Sequence, residues 1–305
     1  MRFSAPESRS APVTRTLDRA ETAPRLATLD IPRMVAEQHE PTRRAAAFFD
    51  VDRTLLRGSS LLHVARPMRR AGLLPTRAML RSLVVQARFS LFGFDEMQIR
   101  DAVRGAGDMI AGVDSDHLMR FAERVIPVHV LPRVYGEART RIDWHHERGD
   151  LVFLVSSSPR EFIAVLGSVL GVDGVAATEA ELSNGRYTGR ILRLCHGVGK
   201  ADAVRELAAA RDVDLALSYA YGDSFASDLP MLEAVGHPVC VNGDRLLTAH
   251  AQRMGWAVER FQHVALRPGP TGLRRLPRRV VTGSGPAVRR ARSHVRRTAR
   301  ALREL

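Results

Sequence analysis

Lysine is nearly missing from this chain. Of its 46 basic residues one, Lys200, is a lysine and the rest are arginines. A lone ammonium in that background is either chance or the mark of a place where a compact charge is required and a guanidinium fork does not fit. Cysteine is scarce too. Cys195 and Cys240 are the whole complement, which excludes a zinc or disulfide framework and leaves two thiols expected to lie buried in a reducing, cytoplasmic compartment. No run of 18 apolar residues occurs, so no membrane-spanning helix is expected. The opening MRFSAPES lacks the apolar core of a signal peptide. Acidic residues are almost absent from 265–305, which holds twelve arginines and one acid, Glu304. That segment carries +11 of the net +13, leaving +2, close to neutrality, for residues 1–264.

What is present reads as an α/β chain. With 305 residues and 45% apolar content it can fill one large domain or two modest ones. Residues 1–42 mix Pro, Ser, Ala, Arg and Glu without a period and are expected to be a disordered leader. A short buried strand follows at Ala45–Val51. From 58 to 149 the pattern is helical, with segments expected at Ser59–Ala71, Pro75–Phe92, Asp95–Ala111, Ser115–Ile126 and Pro132–Arg148. Pro75 and Pro132 stand where helices begin, and Gly72, Gly93, Gly112 and Gly149 where they end. Strands and helices then alternate. Strands are expected at Leu151–Val155, Val175–Thr178, Leu217–Tyr221 and Pro238–Val241, and helices at Arg160–Leu170, Gly199–Ala210 and Arg245–Met254, with Pro230–Val235 continuing a further helix. Asn184-Gly185 marks a hairpin within Glu181–Leu192. Such alternation implies a mostly parallel sheet covered on both faces.

The first strand runs into Asp50-Val51-Asp52-Arg53-Thr54-Leu55-Leu56. Parallel sheets place their chemistry at the carboxyl ends of strands, and a carboxylate there can hold a hard cation or attack an electrophile. Asp-x-Asp alone is as compatible with a plain turn. The longer pattern, an apolar strand followed by Asp-x-Asp-x-Thr, resembles the first motif of the haloacid dehalogenase-like phosphatases. Three further motifs stand in that family's order. Ser156 closes the strand LVFLVS, Lys200 opens a helix in GVGKAD, and Asp223 and Asp228 lie in YGDSFASDLP. The resemblance covers about Ala45 to Met254 and points to the subfamily with a helical cap, the phosphoserine phosphatase-like members.

The resemblance implies a Rossmann-like doubly wound parallel sheet formed by 43–57 and 150–262, an all-helical cap at 58–149 and a basic tail at 263–305. It implies a Mg²⁺-dependent phosphomonoesterase that works through an aspartyl phosphate. Asp50 would be the nucleophile and Asp52 the general acid and base. The metal would be held by Asp50, Asp223 and the backbone carbonyl of Asp52. The Ser156 hydroxyl, the Ser157 amide and Lys200 would hold the phosphate. Thr54 and Asp228 would support the loop and the metal site.

Two departures bear on the substrate, which is expected to be a small phosphate ester. Four residues separate Asp223 from Asp228, where phosphoserine phosphatase-like members usually have three. Those members also carry a Glu soon after the first motif to bind the substrate amine. Here the stretch is Arg57-Gly58-Ser59-Ser60, without an acid, which speaks against phosphoserine. Two other readings stay open. The apolar stretch Pro75–Phe94 and the basic helix expected at Pro286–Leu302 suit a lipid headgroup phosphatase at an anionic membrane surface. A non-enzymatic scaffold whose tail contacts nucleic acid is the other, although no base-stacking aromatics accompany the tail. Asp-x-Asp does not separate a phosphatase from a phosphomutase.

Overall fold

The computed structural model describes residues 44–73, 105, 107–108 and 110–264. The expected leader, the expected helix Pro75–Phe92, most of Asp95–Ala111 and the basic segment 265–305 lie outside the described residues.

The organising strand is β1, Ala46–Phe49, every residue of it buried. It pairs in parallel with β2, Leu151–Pro159, on one side and with β5, Tyr219–Gly222, on the other. β2 continues to β3, Gly174–Ser183, and β3 turns through Asn184-Gly185 into the antiparallel β4, Arg186–Arg193. β5 continues to β6, His237–Val241, and β7, Ala257–Glu259. The order is β4-β3-β2-β1-β5-β6-β7. This is the doubly wound, mostly parallel sheet expected.

Side-chain alternation along β1 divides the interior in two. Ala47 and Phe49 face one core and Ala46 and Phe48 the other. Phe49 stacks on Tyr221 of β5 with ring centroids 4.2 Å apart, and Phe48 on Phe153 of β2 at 5.4 Å. Cross-strand ring pairs of this kind fix the register.

The first core is covered by α1, Ser60–Arg70; α2, Ser115–Val125; α3, Gly136–Glu147; and α4, Arg160–Leu170. Phe121 of α2 lies 6.3 Å from Phe162 of α4, centroid to centroid. The second core is covered by α5, Val198–Arg211; α6, Phe225–Leu232; and α7, Arg245–Met254.

Several expected bounds shift. Pro132 sits in a 3-10 turn at Leu131–Arg133, and α3 begins only at Gly136. The reason is that Val134 and Tyr135 are extended and bridge to Leu56 and Val264. α3, expected to belong to the helical insert, lies against β1 and β2 of the sheet. The helix expected to continue through Pro230–Val235 is α6, which begins at Phe225, where Ser224 caps it by accepting from the Ser227 N–H, and ends at Leu232. β7 had no place in the sequence reading.

One buried polar network supports the sheet below the carboxyl ends of the strands. His145 of α3 is fully buried, with Nδ1 2.8 Å from Asp150 Oδ2 and Nε2 2.9 Å from the Tyr221 hydroxyl. Burial holds its pKa below the ordinary value despite Asp150. The neutral ring therefore donates from Nδ1 to the carboxylate and accepts at Nε2 from the tyrosine O–H.

Candidate active site

Strand order reverses at β1, so a crevice opens at the carboxyl ends of β1 and β5. Asp50 follows β1 and Asp223 follows β5, and the Asp50 N–H donates to the Tyr221 carbonyl at 2.9 Å. The ladder thus sets the two carboxylates side by side.

Lys200, on the first turn of α5, is 1% exposed and reaches the same place from the face of the sheet that α5 and α6 cover. Its Nζ donates to Asp50 Oδ1 at 2.5 Å and to Asp228 Oδ1 at 2.7 Å. Asp228, on α6, is fully buried, and its Oδ2 accepts from the backbone N–H groups of Asp223 and Ser224, both at 2.9 Å. The five-residue step from Asp223 to Asp228 is one turn of helix folded back on its own start. Gly222 makes the return possible, since a Cβ there would stand 2.7 Å from Asp228 Cβ.

One buried ammonium therefore serves two buried carboxylates, with a third beside them. Burial pushes the Asp50 carboxyl up to about 7, against the pull of Lys200. Burial, then Asp228 and Asp50, hold Asp223 well above the carboxylate range. Asp228 goes the other way. Burial works against its charge, but Lys200 and the two N–H groups keep it below the ordinary value. Burial likewise opposes the charge on Lys200, and Asp228 and Asp50 outweigh it. The site thus holds more negative charge than its one lysine offsets.

Asp50, Asp223 and Asp228 each offer a carboxylate oxygen within 4.8 Å of the others. Both oxygens of Asp228 are already engaged. Asp50 Oδ2, by contrast, is buried without a hydrogen-bond partner among the described residues. A buried, unpaired carboxylate oxygen is costly, and the donor set, all hard oxygens with surplus negative charge, fits a hard divalent cation. The residues present fit the metal that the family resemblance implies.

The loop after β1 supplies the outer part of the site. Thr54 is fully buried and points its hydroxyl at Asp223 Oδ1, 3.5 Å away. Asp52 is half-buried. Its Oδ1 accepts from the Ser60 N–H at 2.7 Å and its Oδ2 from the Ser59 hydroxyl at 3.3 Å, at the N-terminus of α1. Ser156 is buried on β2, one residue past the position level with Asp50 in the register, and its hydroxyl accepts from the Ser158 N–H at 3.2 Å. Ser157 is exposed. Its hydroxyl donates to the Cys195 carbonyl at 2.9 Å and lies 3.3 Å from His196 Nδ1. Burial, with Lys200 second, keeps the His196 ring below its ordinary pKa.

The fold therefore gathers Asp50, Lys200, Asp223 and Asp228 into one cluster, with Thr54 on its edge. Asp52, Ser156 and Ser157 stand on adjoining strand ends and loops. Four further residues take part without having been singled out from the sequence. Ser59 and Ser60 hold Asp52, a role that local pattern does not encode. Arg53 pairs with Asp223 at 2.8 Å and lies inside the first motif itself. His196 had no readable signal.

Comparison with known proteins agrees with this geometry. The family model of haloacid dehalogenase-like hydrolases matches residues 47–233. A protein of Mycobacterium tuberculosis (strain ATCC 25618 / H37Rv) named as a probable phosphatase is 40% identical over 235 residues, 76% of this chain and 82% of that one. From the same organism, a protein named phosphoserine phosphatase SerB1 is 34% identical over 220 residues, 72% of this chain and 71% of that one. A crystal structure of a protein of unknown function from Bordetella pertussis Tohama I superposes with a TM-score of 0.62 at 29% identity, covering 72% of this chain and 99% of that one. The chain belongs to the haloacid dehalogenase-like hydrolases.

Proposed function

We propose that the protein is a Mg²⁺-dependent phosphatase of small phosphate esters, working through a phosphoryl group carried on Asp50. The observation that carries this is Asp50 itself, a buried carboxylate with one oxygen on Lys200 and the other without a partner among the described residues. A stabilising core residue has no use for such an oxygen, whereas a nucleophile beside a cation does.

Asp50, Asp223 and the Asp52 carbonyl would hold the metal, which when bound offsets the charge of both nucleophile and phosphate. Lys200 favours the ionised form of Asp50 against its burial and orients the carboxylate, and its ammonium would face the phosphoryl group as charge builds there. A carboxylate oxygen of Asp50 bonds to phosphorus while the ester P–O bond breaks. Asp52 gives its proton to the departing alkoxide. In the second half Asp52 takes a proton from water. The water oxygen bonds to phosphorus, the bond to Asp50 breaks and phosphate leaves. Ser59 and the Ser60 N–H hold the Asp52 carboxylate in one orientation through both halves. Ser156 and the Ser157 amide are assigned to the phosphoryl oxygens. Asp228 positions Lys200 and the Asp223 turn, a supporting task that fits its fully occupied oxygens better than metal ligation does.

The insert between the first and second motifs, 58–135 once α3 is grouped with the sheet, is read as a cap that closes over a small substrate and excludes water. Phosphoserine is disfavoured, although relatives carry that name. Arg57–Ser60 offers no carboxylate for an amine, and Ser59 and Ser60 are turned to Asp52. The test is hydrolysis of p-nitrophenyl phosphate and a panel of natural esters with Mg²⁺ or excess chelator. Turnover that needs Mg²⁺ and vanishes in Asp50→Asn is expected. Full turnover in chelator would exclude the reading.

A further inference from the structure

Arg53 stands between the two aspartates of the first motif and Thr54, with φ +67°. A residue with a Cβ is held in that left-handed region at a cost of about 1 kcal/mol, and glycine would sit there freely. Its side chain is 45% exposed, and its Nε lies 2.8 Å from Asp223 Oδ2. The unfavourable backbone therefore aims a guanidinium at the same carboxylate that the metal reading assigns to the cation. Asp223 has a second neighbour, the Thr54 hydroxyl at its Oδ1, so both of its oxygens are occupied by the protein's own groups.

Two cations cannot share that carboxylate on equal terms. A divalent ion on Asp223 places two positive charges within a few ångströms of the guanidinium, which is exposed enough to swing away. The nearest anion then available to it is the phosphate bound at the same ion, and a guanidinium presents a planar fork suited to phosphate oxygens. We infer that Arg53 exchanges partners, covering Asp223 in the metal-free protein and binding the phosphate of the substrate once a divalent cation has taken Asp223. The inference rests on the metal reading of Asp50 and Asp223 given above. It adds a phosphate-binding residue and a reason for an arginine at a glycine-like backbone position.

The test is calorimetric titration of Mg²⁺ into wild-type protein, Arg53→Gly and Arg53→Lys without substrate, followed by titration of inorganic phosphate at saturating Mg²⁺. Glycine and, as a second uncharged variant, Arg53→Asn both tolerate the left-handed backbone, so both are expected to fold, with unfolding in chelator as the check. Removing the competing charge should tighten Mg²⁺ binding at least about fivefold, roughly 1 kcal/mol. It should weaken phosphate binding at least about tenfold. Arg53→Lys, which keeps the charge, should bind Mg²⁺ like the wild type. Equal or weaker Mg²⁺ binding in Arg53→Gly and Arg53→Asn would overturn the exchange while leaving the phosphatase reading standing, and so would unchanged phosphate binding. If the wild type and all variants bind no Mg²⁺, the metal reading falls and this inference with it.

Discussion

The inner and outer halves of the site are built on different terms. Asp50, Lys200, Asp223 and Asp228 are each at most 5% exposed, come from four separate elements and hold one another through charge. Asp52, Arg53, Ser157 and His196 are themselves half-buried or exposed, and they reach inward to backbone groups, to Ser59 and, for Arg53, to Asp223. A buried charge that loses its partner is strongly destabilising, whereas an exposed one loses little. The inner half therefore cannot lose its counter-ion Lys200 without cost to the fold, and the outer half can be retuned for different esters. The comparison predicts coupled losses of activity and stability where Lys200 is replaced, and activity changes alone outside.

The largest effect falls on Asp50. Asp50→Asn keeps the shape and removes the attacking charge, so turnover should drop on the order of 10⁴-fold or more. The variant should remain folded, because it also removes one carboxylate from a cluster with surplus negative charge. Circular dichroism with an assay of p-nitrophenyl phosphate hydrolysis separates the two. Residual activity near the wild-type level would break the inner half of the account.

Lys200 comes next. Lys200→Met leaves Asp228 charged and buried without its counter-ion, and should cost about 3–5 kcal/mol of stability. Lys200→Arg keeps the charge but forces a larger, planar group into a filled site. It should lower kcat/KM at least tenfold, roughly 1.4 kcal/mol, and lower the unfolding free energy by about 1–3 kcal/mol through overpacking. An active, equally stable Lys200→Arg protein would show that the inner half tolerates change as the outer half does.

The dependence on pH sharpens the same contrast. The folded Asp50 carboxyl is raised to about 7, above its value of about 3.9 in an unfolded chain. Between those values the folded state binds more protons than the unfolded state, so this group makes stability fall as pH rises through that window. Asp223, raised as well, acts in the same sense. A divalent cation needs both ionised and displaces their protons. The rise in Tm on adding Mg²⁺ should therefore be larger at pH 8 than at pH 5. A shift that is equal or larger at pH 5 would contradict the assignment of these two carboxylates to the metal.

The smallest effect belongs to the outer half. Ser59→Ala removes one of the two groups on Asp52 and leaves the Ser60 N–H in place. It should lower kcat/KM about threefold to tenfold, on the scale of one hydrogen bond of roughly 1 kcal/mol. Tm should hardly move, because the Ser59 hydroxyl makes no cap bond to α1.

The same division explains what was legible in the sequence. β1 was readable because AAAFF before Asp-x-Asp leaves a buried strand little alternative. The ends of α4 and α7 were readable because Gly171 and Gly255 take the left-handed conformation just past them. The start of α3 was misplaced because a proline signals a first turn but does not say how long that turn runs. β7 escaped because three residues at a sheet edge carry no alternation, and its place is fixed by pairing with β6 and by the Arg141–Glu259 ion pair. Within the site, Asp50, Asp223, Lys200 and Asp228 stand in motifs whose spacing the strand ends and helix turns impose. The roles of Arg53, Ser59 and His196 depend on where loops bring them in space, which local pattern does not encode.

The most direct test of the central claim is a crystal structure with Mg²⁺ and beryllium trifluoride. The account predicts the fluoride adduct bonded to a carboxylate oxygen of Asp50, with the metal between Asp50 and Asp223 and Lys200 still on the Asp50 side chain. An adduct on Asp52 or Ser156, or a metal that leaves Asp223 uncoordinated, would contradict it.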